Sequence, residues 1–509
     1  MGMPTGALTE PLSGRTWDPP TVEREILRRV LHYRALGVGP GDRVFLHNGN
    51  TLEFFGDLLA VWHLGACAVP VDSRLTAFEV ETIVQAFEPR ASVWHELPDQ
   101  QLAVRLAALG ATVLASPPAE RNRPPERAEI PPSALALDDP ALILLTSGTT
   151  GQPKGVVHTH RSLAARWMGL GQSLELAPFR RTLCLLPTHF GHGLICNCLF
   201  PWLAGQDLFV LPPFRPDTIV QLGRIVDEHG ITFLSSVPTV WRLALKTAAP
   251  PTRGSLAWVF CGSAPLSAAL WSDVRDWSRT AKVTNAYGIT ETGSWVAGSA
   301  MLDVAPADGL IGQPWGASIR VLREPTGEEP PARAHACAPG EAGQVWIRTP
   351  ALMQGYYRRP DLTREAVRDG WFHTGDIGLL DERGLLFLRG RAREEINKGG
   401  MKVYPADIDA VVERFPGVRD VCTFAYEDEV LGEDVGIAVV LERASDETLV
   451  ELQAWTAAHL AQHQLPRRWY VADEIPRSSR GKVNRAQVAR VCAGLAPHRP
   501  RALAREPKT

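Results

Sequence analysis

Residues 146–155 read TSGTTGQPKG, three threonines, a serine, three glycines and a lysine directly after the apolar run ALILL at 141–145. Glycines let backbone amides approach an anion closely, and hydroxyls and a lysine add donors and charge, so the composition suits polyphosphate. The same composition also makes an ordinary turn. A Walker loop needs Gly-x4-Gly-Lys-Ser/Thr running straight into a helix. Here Pro153 precedes Lys154, Gly155 follows it, and the strand-like VVHTH comes before the helix-like RSLAARWMGL. The stretch therefore joins two strands and is not a Walker loop; on composition alone, phosphate contact and a structural turn both stay open.

Outward from this loop, short apolar runs (RVFLHN, TLCLLP, DLFVLP, AWVFCG) alternate with helix-like stretches such as TLEFFGDLLAVWHLG and PDTIVQLGRIVDEHG. Strands crossed over by helices make an α/β protein with parallel-rich sheets, whose ligand sites gather at the carboxyl ends of the strands. The proline-rich, charged segments 117–132 and 323–343 read as surface connectors. After FLRGRAREE the pattern changes to an amphipathic helix (YPADIDAVVERFPGV), two strand-like stretches (VRDVCTFAYED, DVGIAVVLER) and a further helix (ETLVELQAWTAAHLAQH). The expected organisation is a large N-terminal α/β domain over 1–390 and a small, mobile α+β domain over 391–509, ending in a disordered tail.

At 509 residues the chain is too long for one ordinary core. With 45% hydrophobic residues, 21% charged and a net charge of -3, it has the composition of a soluble globular protein and nothing that points to nucleic acid or an anionic membrane. No apolar run is long enough to span a bilayer, and the first twenty residues lack the order of a signal peptide. A cytoplasmic protein with a frayed start is expected. Eight cysteines in so long a chain form no disulfide framework, so reduced thiols are the expectation.

TSGTTGQPKG resembles the phosphate-loop signature of the AMP-forming adenylating enzymes, the superfamily of acyl-CoA synthetases, luciferases and peptide-synthetase adenylation domains. Five more segments match in order: LPTHFGHG, NAYGITETG, GWFHTGDIG, GRAREEINKGGMKVYPADID and PRSSRGKVNR. The resemblance implies that a carboxylate attacks the α-phosphorus of ATP, pyrophosphate leaves, and the thiol of CoA displaces AMP. A carboxylate is already ionised at neutral pH and needs no base. The protein has to screen negative charge and align the reactants.

Residue by residue, the resemblance implies that Thr146, Ser147, Gly148, Thr149, Thr150, Gly151 and Lys154 hold the pyrophosphate end of ATP. Glu291 would coordinate Mg²⁺, Thr290 would touch the α-phosphate, Tyr287 would stack on adenine, and Gly288, Ser263 and Ala264 would belong to the nucleotide site. Asp376 would accept both ribose hydroxyls with Arg391 beside it. Lys482 matches the mobile catalytic lysine that bridges carboxylate and α-phosphate. Arg393 falls at the hinge position, and rotation there would bring Gly399 and Gly400 to the thiol channel. Each residue type also has an ordinary use: a solvated turn for TET, a core position for Tyr287, a turn cap for Asp376, a solvating charge for Lys482.

The acid pocket is implied at His189, Phe190, Ser236, Val237, Cys261, Gly262, Ser263 and Trp295. Its aromatic residues lean toward an aryl or medium-chain acid. The Asp with which peptide-synthetase domains bind an α-amino group is missing, which disfavours an amino acid. Leu145 stands where an aromatic is usual, and GQV at 343–345 replaces a GE pair. His189, His192, Cys196 and Cys198 carry metal-binding side chains, but Cys-x-Cys is tighter than the usual zinc spacing and LICNCLF reads as buried and apolar. The leading expectation is an ATP-dependent acid–CoA ligase. The alternatives are another acceptor (a carrier protein in trans, an amine, or an inorganic nucleophile such as nitrite) and a non-catalytic nucleotide-binding regulator, against which the intact Lys154, Glu291, Asp376, Arg391 and Lys482 argue.

Overall fold

The computed structural model describes residues 5–117, 133–146, 154–213, 215–323, 331, 335–398, 401–428, 432–477 and 483–498. Two sheets make up the larger part. In the first, the parallel strands Asp207–Val210, Arg181–Cys184, Phe233–Ser236, Trp258–Gly262 and Val283–Ile289 lie side by side in that order. The sheet then continues antiparallel through Ser294–Gly298, Leu310–Pro314, Leu386–Arg391, Trp371–Leu380, Gly343–Arg348 and Ser318–Leu322. In the second, Thr112–Ala115, Ala91–Trp94, Arg43–His47, Cys67–Pro70 and Pro140–Thr146 run parallel, and Lys154–Thr159 returns antiparallel beside the last of them. The mixed α/β architecture read from the alternating runs is the one present.

Helices cross between the parallel strands, and several are started by a side chain that accepts an otherwise orphaned amide. Thr51 caps Leu52–His63, and Thr76 caps Ala77–Phe87 in a capping box with Glu79. Leu52–His63 is buried along its whole length because it is covered on every side. The start of the chain departs from expectation. Leu8–Glu10 is a strand parallel to Asp207–Val210, and Arg15–Trp17 pairs with it antiparallel. Leu8 is fully buried, and Gly6 lies so close to its neighbour that a Cβ there would fall 1.9 Å from the Gln206 carbonyl oxygen. Packing against a strand two hundred residues away orders this end.

The large sheet ends with Leu386–Arg391, a single 3₁₀ turn spans Ala392–Glu394, and Ile396–Lys398 opens a separate five-stranded sheet. The long hairpin Val418–Asp428 and Gly432–Leu441 forms its centre, with Pro405–Val412, Asp446–His459 and Arg485–Ala493 packed on it. Arg242 and Glu413 (2.6 Å) and Arg389 and Asp407 (3.3 Å) pair across the two parts. Among the described residues no helix is long and apolar enough to cross a membrane.

Beneath the second sheet lies a buried ionic knot. Asp57, with no exposed surface, accepts from Arg29 Nε (2.8 Å), the Tyr33 hydroxyl (2.6 Å), Asn48 Nδ2 (2.8 Å) and the Ser116 hydroxyl (2.6 Å). Burial pushes its carboxyl up, and the arginine and three neutral donors oppose that shift. Arg29 also reaches the Glu25 carboxylate and the Pro117 carbonyl. Four segments are thus tied to one carboxylate. Asp57→Ala is expected to cost about 3–5 kcal/mol by leaving three buried donors unpaired and removing one of the two carboxylates that face Arg29, seen as a lower urea midpoint; an unchanged midpoint would show that the knot is not structural.

Candidate active site

The strands on either side of the glycine-rich stretch, Pro140–Thr146 and Lys154–Thr159, pair antiparallel. Thr146 and Lys154 face each other as the last cross-strand pair, with the Thr146 hydroxyl donating to the Lys154 carbonyl at 3.3 Å. A Cβ on Gly155 would fall 2.4 Å from the Phe87 ring, so the strand can lie this close to that helix only with glycine there. Ser147, Gly148, Thr149, Thr150, Gly151, Gly399, Gly400 and Lys482 lie outside the described residues, as does the side chain of Arg393.

Strand Val283–Ile289 ends in the 3₁₀ turn Thr290–Thr292, followed by Gly293 and Ser294, both at positive φ. Four contacts from other elements pin this turn. His158 Nε2 donates to the Thr290 carbonyl at 2.8 Å; a carbonyl only accepts, so this nitrogen carries the proton. The Met353 amide donates to the Glu291 carbonyl at 2.8 Å, and the Tyr356 hydroxyl to Glu291 Oε1 at 2.8 Å. Arg166 donates to the Thr292 carbonyl at 2.9 Å, to the Thr349 hydroxyl at 3.1 Å and to the Trp315 carbonyl at 2.8 Å. Arg166 is fully buried, all these acceptors are neutral, and burial pushes its guanidinium down to about 10. Gly191 of the LPTHFGHG segment abuts the same turn, since a Cβ there would lie 3.7 Å from Thr290 Oγ1.

Next to the turn, Tyr287, Asp376 and Arg391 form one cluster. Asp376 and Arg391 are cross-strand partners, joined by Arg391 Nε to Asp376 Oδ1 at 2.7 Å. The Tyr287 hydroxyl donates to Asp376 Oδ2. The Asp376 amide donates to Thr374 Oγ1 at 2.9 Å, which fixes the carboxylate from behind. Burial, and then the Asp376 charge, raise the Tyr287 phenol, and the attraction of the same carboxylate is the main cause that raises the Arg391 guanidinium. A bulge between Tyr287 and Gly288 turns the tyrosine, and Gly288 leaves the room that the Ser294 carbonyl occupies.

The third region lies against the face of strands Phe233–Ser236 and Trp258–Gly262. A π-helical segment, His192–Leu199, begins here, and its first residue joins both strands: His192 Nε2 meets the Ser235 hydroxyl at 2.7 Å and Nδ1 the Ser263 hydroxyl at 2.8 Å. A neutral ring donates through one nitrogen and accepts through the other. Ser263 sits at φ 67, a conformation that a non-glycine residue adopts at a cost, and it is the residue that turns its hydroxyl to the histidine. Trp295 packs edge-on to His192 with ring centroids 5.5 Å apart, and Gly262 leaves space for the imidazole. Phe190 is buried with its ring 6.1 Å from His192. His189 Nε2 instead lies 3.5 Å from Asp72, which also pairs with Arg74.

The structure thus brings together Thr146, Lys154, Tyr287, Gly288, Thr290, Glu291, Asp376 and Arg391 on one side, and Phe190, Gly262, Ser263 and Trp295 on the other. Ser236 and Cys261 are register partners, one step along from the Ser235 that meets His192. Neighbouring strand residues point to opposite faces, so Ser235 is the strand serine on the histidine side. Ala264 follows Ser263 in the same loop, and Val237 is buried at the start of helix Pro238–Thr247. The His/Cys set at 189–198 is divided among separate partners: Cys196 Sγ lies 3.4 Å from the Gly293 carbonyl, and Cys198 shares a hydrogen bond with Cys184. Sequence reading did not single out His158, Arg166, Ser235 or Tyr356, and weighed His192 only as a metal ligand. Only the GYY run at 355–357, an aromatic pair after glycine, was a visible signal.

Known proteins show the same organisation. The family described as AMP-binding enzyme matches residues 26–357, and its C-terminal domain, AMP-binding enzyme C-terminal domain, matches 407–482. A feruloyl-CoA synthase of Amycolatopsis sp is 31% identical over 476 residues, 92% of each chain. An oxalate–CoA ligase of Arabidopsis thaliana is 30% identical over 466 residues, 89% of each chain. A fatty acid–[acyl-carrier-protein] ligase, ScoC of Streptomyces coeruleorubidus, is 30% identical over 497 residues, 93% of this chain and 91% of that one. The crystal structure of ATP-bound MatB from Rhodopseudomonas palustris superimposes with a TM-score of 0.83 at 26% identity, covering 97% of both chains.

Burial holds His158 neutral, pushed down to about 4. An unfolded histidine takes its proton near pH 6.5, so the stabilisation from this group is complete above that value and is lost as pH falls toward 4. The difference in melting temperature between the protein and His158→Asn should therefore narrow from pH 7 to pH 5. A constant difference would show that His158 titrates at its ordinary value.

Proposed function

This chain belongs to the AMP-binding enzyme family, and we propose that its crevice activates a compact aryl or medium-chain carboxylic acid. It is an enzyme of the AMP-forming acid–thiol ligase type: ATP and a small carboxylic acid yield an acyl-adenylate, and the acyl group passes to CoA. The observation that carries the assignment of roles is the Tyr287, Asp376 and Arg391 cluster beside the Thr290–Thr292 turn. A carboxylate fixed by an arginine and a phenol suits a ribose diol, and the turn beside it carries hydroxyl and carboxylate groups for phosphate and cation.

In this reading Asp376 accepts the ribose hydroxyls, Tyr287 and the backbone around Ser263 and Ala264 hold adenine, and Thr290 meets the α-phosphate. Thr146, Lys154 and residues 147–151 hold the β- and γ-phosphates. The acid oxygen attacks the α-phosphorus and the bond to pyrophosphate breaks; Lys482 bridges the two anions as they meet. The thiolate then attacks the acyl carbon, and AMP leaves with the bonding pair. Rotation about Arg393, which lies in the turn between the two sheets, brings Gly399 and Gly400 to the thiol. Glu291 suits Mg²⁺, a hard cation held by one or two carboxylates together with substrate phosphates. When bound, the ion neutralises polyphosphate charge.

For the acid, Phe190, Trp295 and Gly262, which pack around His192, would supply an apolar wall, and His192 with its two serines one polar contact. The resemblance to a feruloyl-CoA synthase supports an aryl or arylalkenyl acid. The resemblance to an acyl-carrier-protein ligase supports a second reading, in which a carrier phosphopantetheine takes the place of CoA. A cytoplasmic setting fits eight free thiols.

The test is to incubate the protein with ATP, Mg²⁺ and a panel of carboxylic acids, with and without CoA, and to identify products by mass spectrometry. Feruloyl-type acids should give AMP and acyl-CoA; AMP with untouched CoA would turn the search to a carrier protein. Lys482→Ala should lose adenylation by at least about 100-fold while retaining thioester formation from supplied acyl-adenylate. Equal loss in both half-reactions would contradict its role.

A further inference from the structure

Tyr356 sits where two charges of opposite sign come near each other without pairing. Its hydroxyl donates to Glu291 Oε1 at 2.8 Å, and Lys154 Nζ lies over its ring, 5.5 Å from the centroid. Neither Lys154 nor Glu291 has an ion-pair partner among the described residues. The ring is one the fold holds in place. Its strand pairs antiparallel with Lys154–Thr159, Tyr356 opposite Val156. The amides of Gln354 and Tyr357 donate to Val157 and Gly155 at 2.8 Å each, and the Tyr356 amide donates to Thr363 Oγ1 at 2.9 Å.

We propose that Tyr356 is a positioning residue that holds one oxygen of Glu291, leaving the other to the divalent cation that enters with ATP, and keeps Lys154 from neutralising that carboxylate. This rests on the reading of Glu291 as the metal carboxylate. A carboxylate that binds a cation is oriented by the hydrogen bond on its second oxygen, and loss of such a partner typically costs about 10–100-fold in metal affinity. An ammonium within about 6 Å of a ring face is attracted by it, so one side chain sets two members of the phosphate site. Without the ring, Lys154 and Glu291 are free to pair directly, and both are then withdrawn from substrate.

Tyr356→Phe keeps the ring and removes the hydroxyl. Mn²⁺ binding, followed by electron paramagnetic resonance in the presence of α,β-methylene-ATP, should weaken about tenfold or more. Metal-free binding of the analogue and thioester formation from supplied acyl-adenylate should be unchanged, and a melting temperature near that of the parent certifies the fold. Tyr356→Leu, which removes the ring too, should also weaken metal-free binding of the analogue; unchanged binding would overturn the spacer role. Unchanged Mn²⁺ affinity in Tyr356→Phe with weakened affinity in Glu291→Gln overturns the positioning role alone. Unchanged affinity in both variants overturns the assignment of Glu291 and the positioning role with it. Equal loss of both half-reactions in Tyr356→Phe would also count against it, because the second needs no polyphosphate-bound cation.

Discussion

The fixed position of the turn Thr290–Thr292 is the constraint on which the crevice depends. Three consecutive residues are held by four groups from elsewhere: His158 and Met353 at the first two carbonyls, Tyr356 at the Glu291 side chain, and Arg166 at the third carbonyl. Each tether comes from a different element, and two of them belong to or lie beside the hairpin that carries Lys154. A reaction between two anions has no base to supply and gains mainly from donors already in place. A turn free to move would have to be ordered in each cycle.

Arg166 shows what this order costs. Burying a guanidinium among neutral acceptors carries a desolvation penalty of several kcal/mol that no carboxylate offsets here. Asp57 is the opposite case, a buried carboxylate with a guanidinium and three neutral donors around it. The first charge lies against the turn Thr290–Thr292 and the second under the neighbouring sheet.

Much of this was legible in the chain because the chemistry is written in contiguous segments. Thr146 with Lys154, the TET turn, Asp376 and Arg391 were each singled out from local patterns, and the structure gathers them at one place; the mixed α/β architecture follows from alternating apolar runs. The tethers were not legible, because they act over distance: His158 and Thr290 are 132 residues apart, and Tyr356 and Glu291 are 65. The ordered start of the chain was hidden for the same reason, since Leu8 is buried only by a strand that follows two hundred residues later. Ser235, the neighbour of the Ser236 read from the sequence, is the strand serine that meets His192, a contact that again spans distant segments.

A carboxylate joined to the α-phosphate of ATP before any thiol is involved leaves a signature in isotope exchange with labelled pyrophosphate, ATP, Mg²⁺ and a feruloyl-type acid, CoA being withheld. Label should return to ATP only when the acid is present, because acyl-adenylate formation is reversible at the bound stage. No exchange with any acid of the aryl or medium-chain classes, or exchange that proceeds equally without acid, would contradict it.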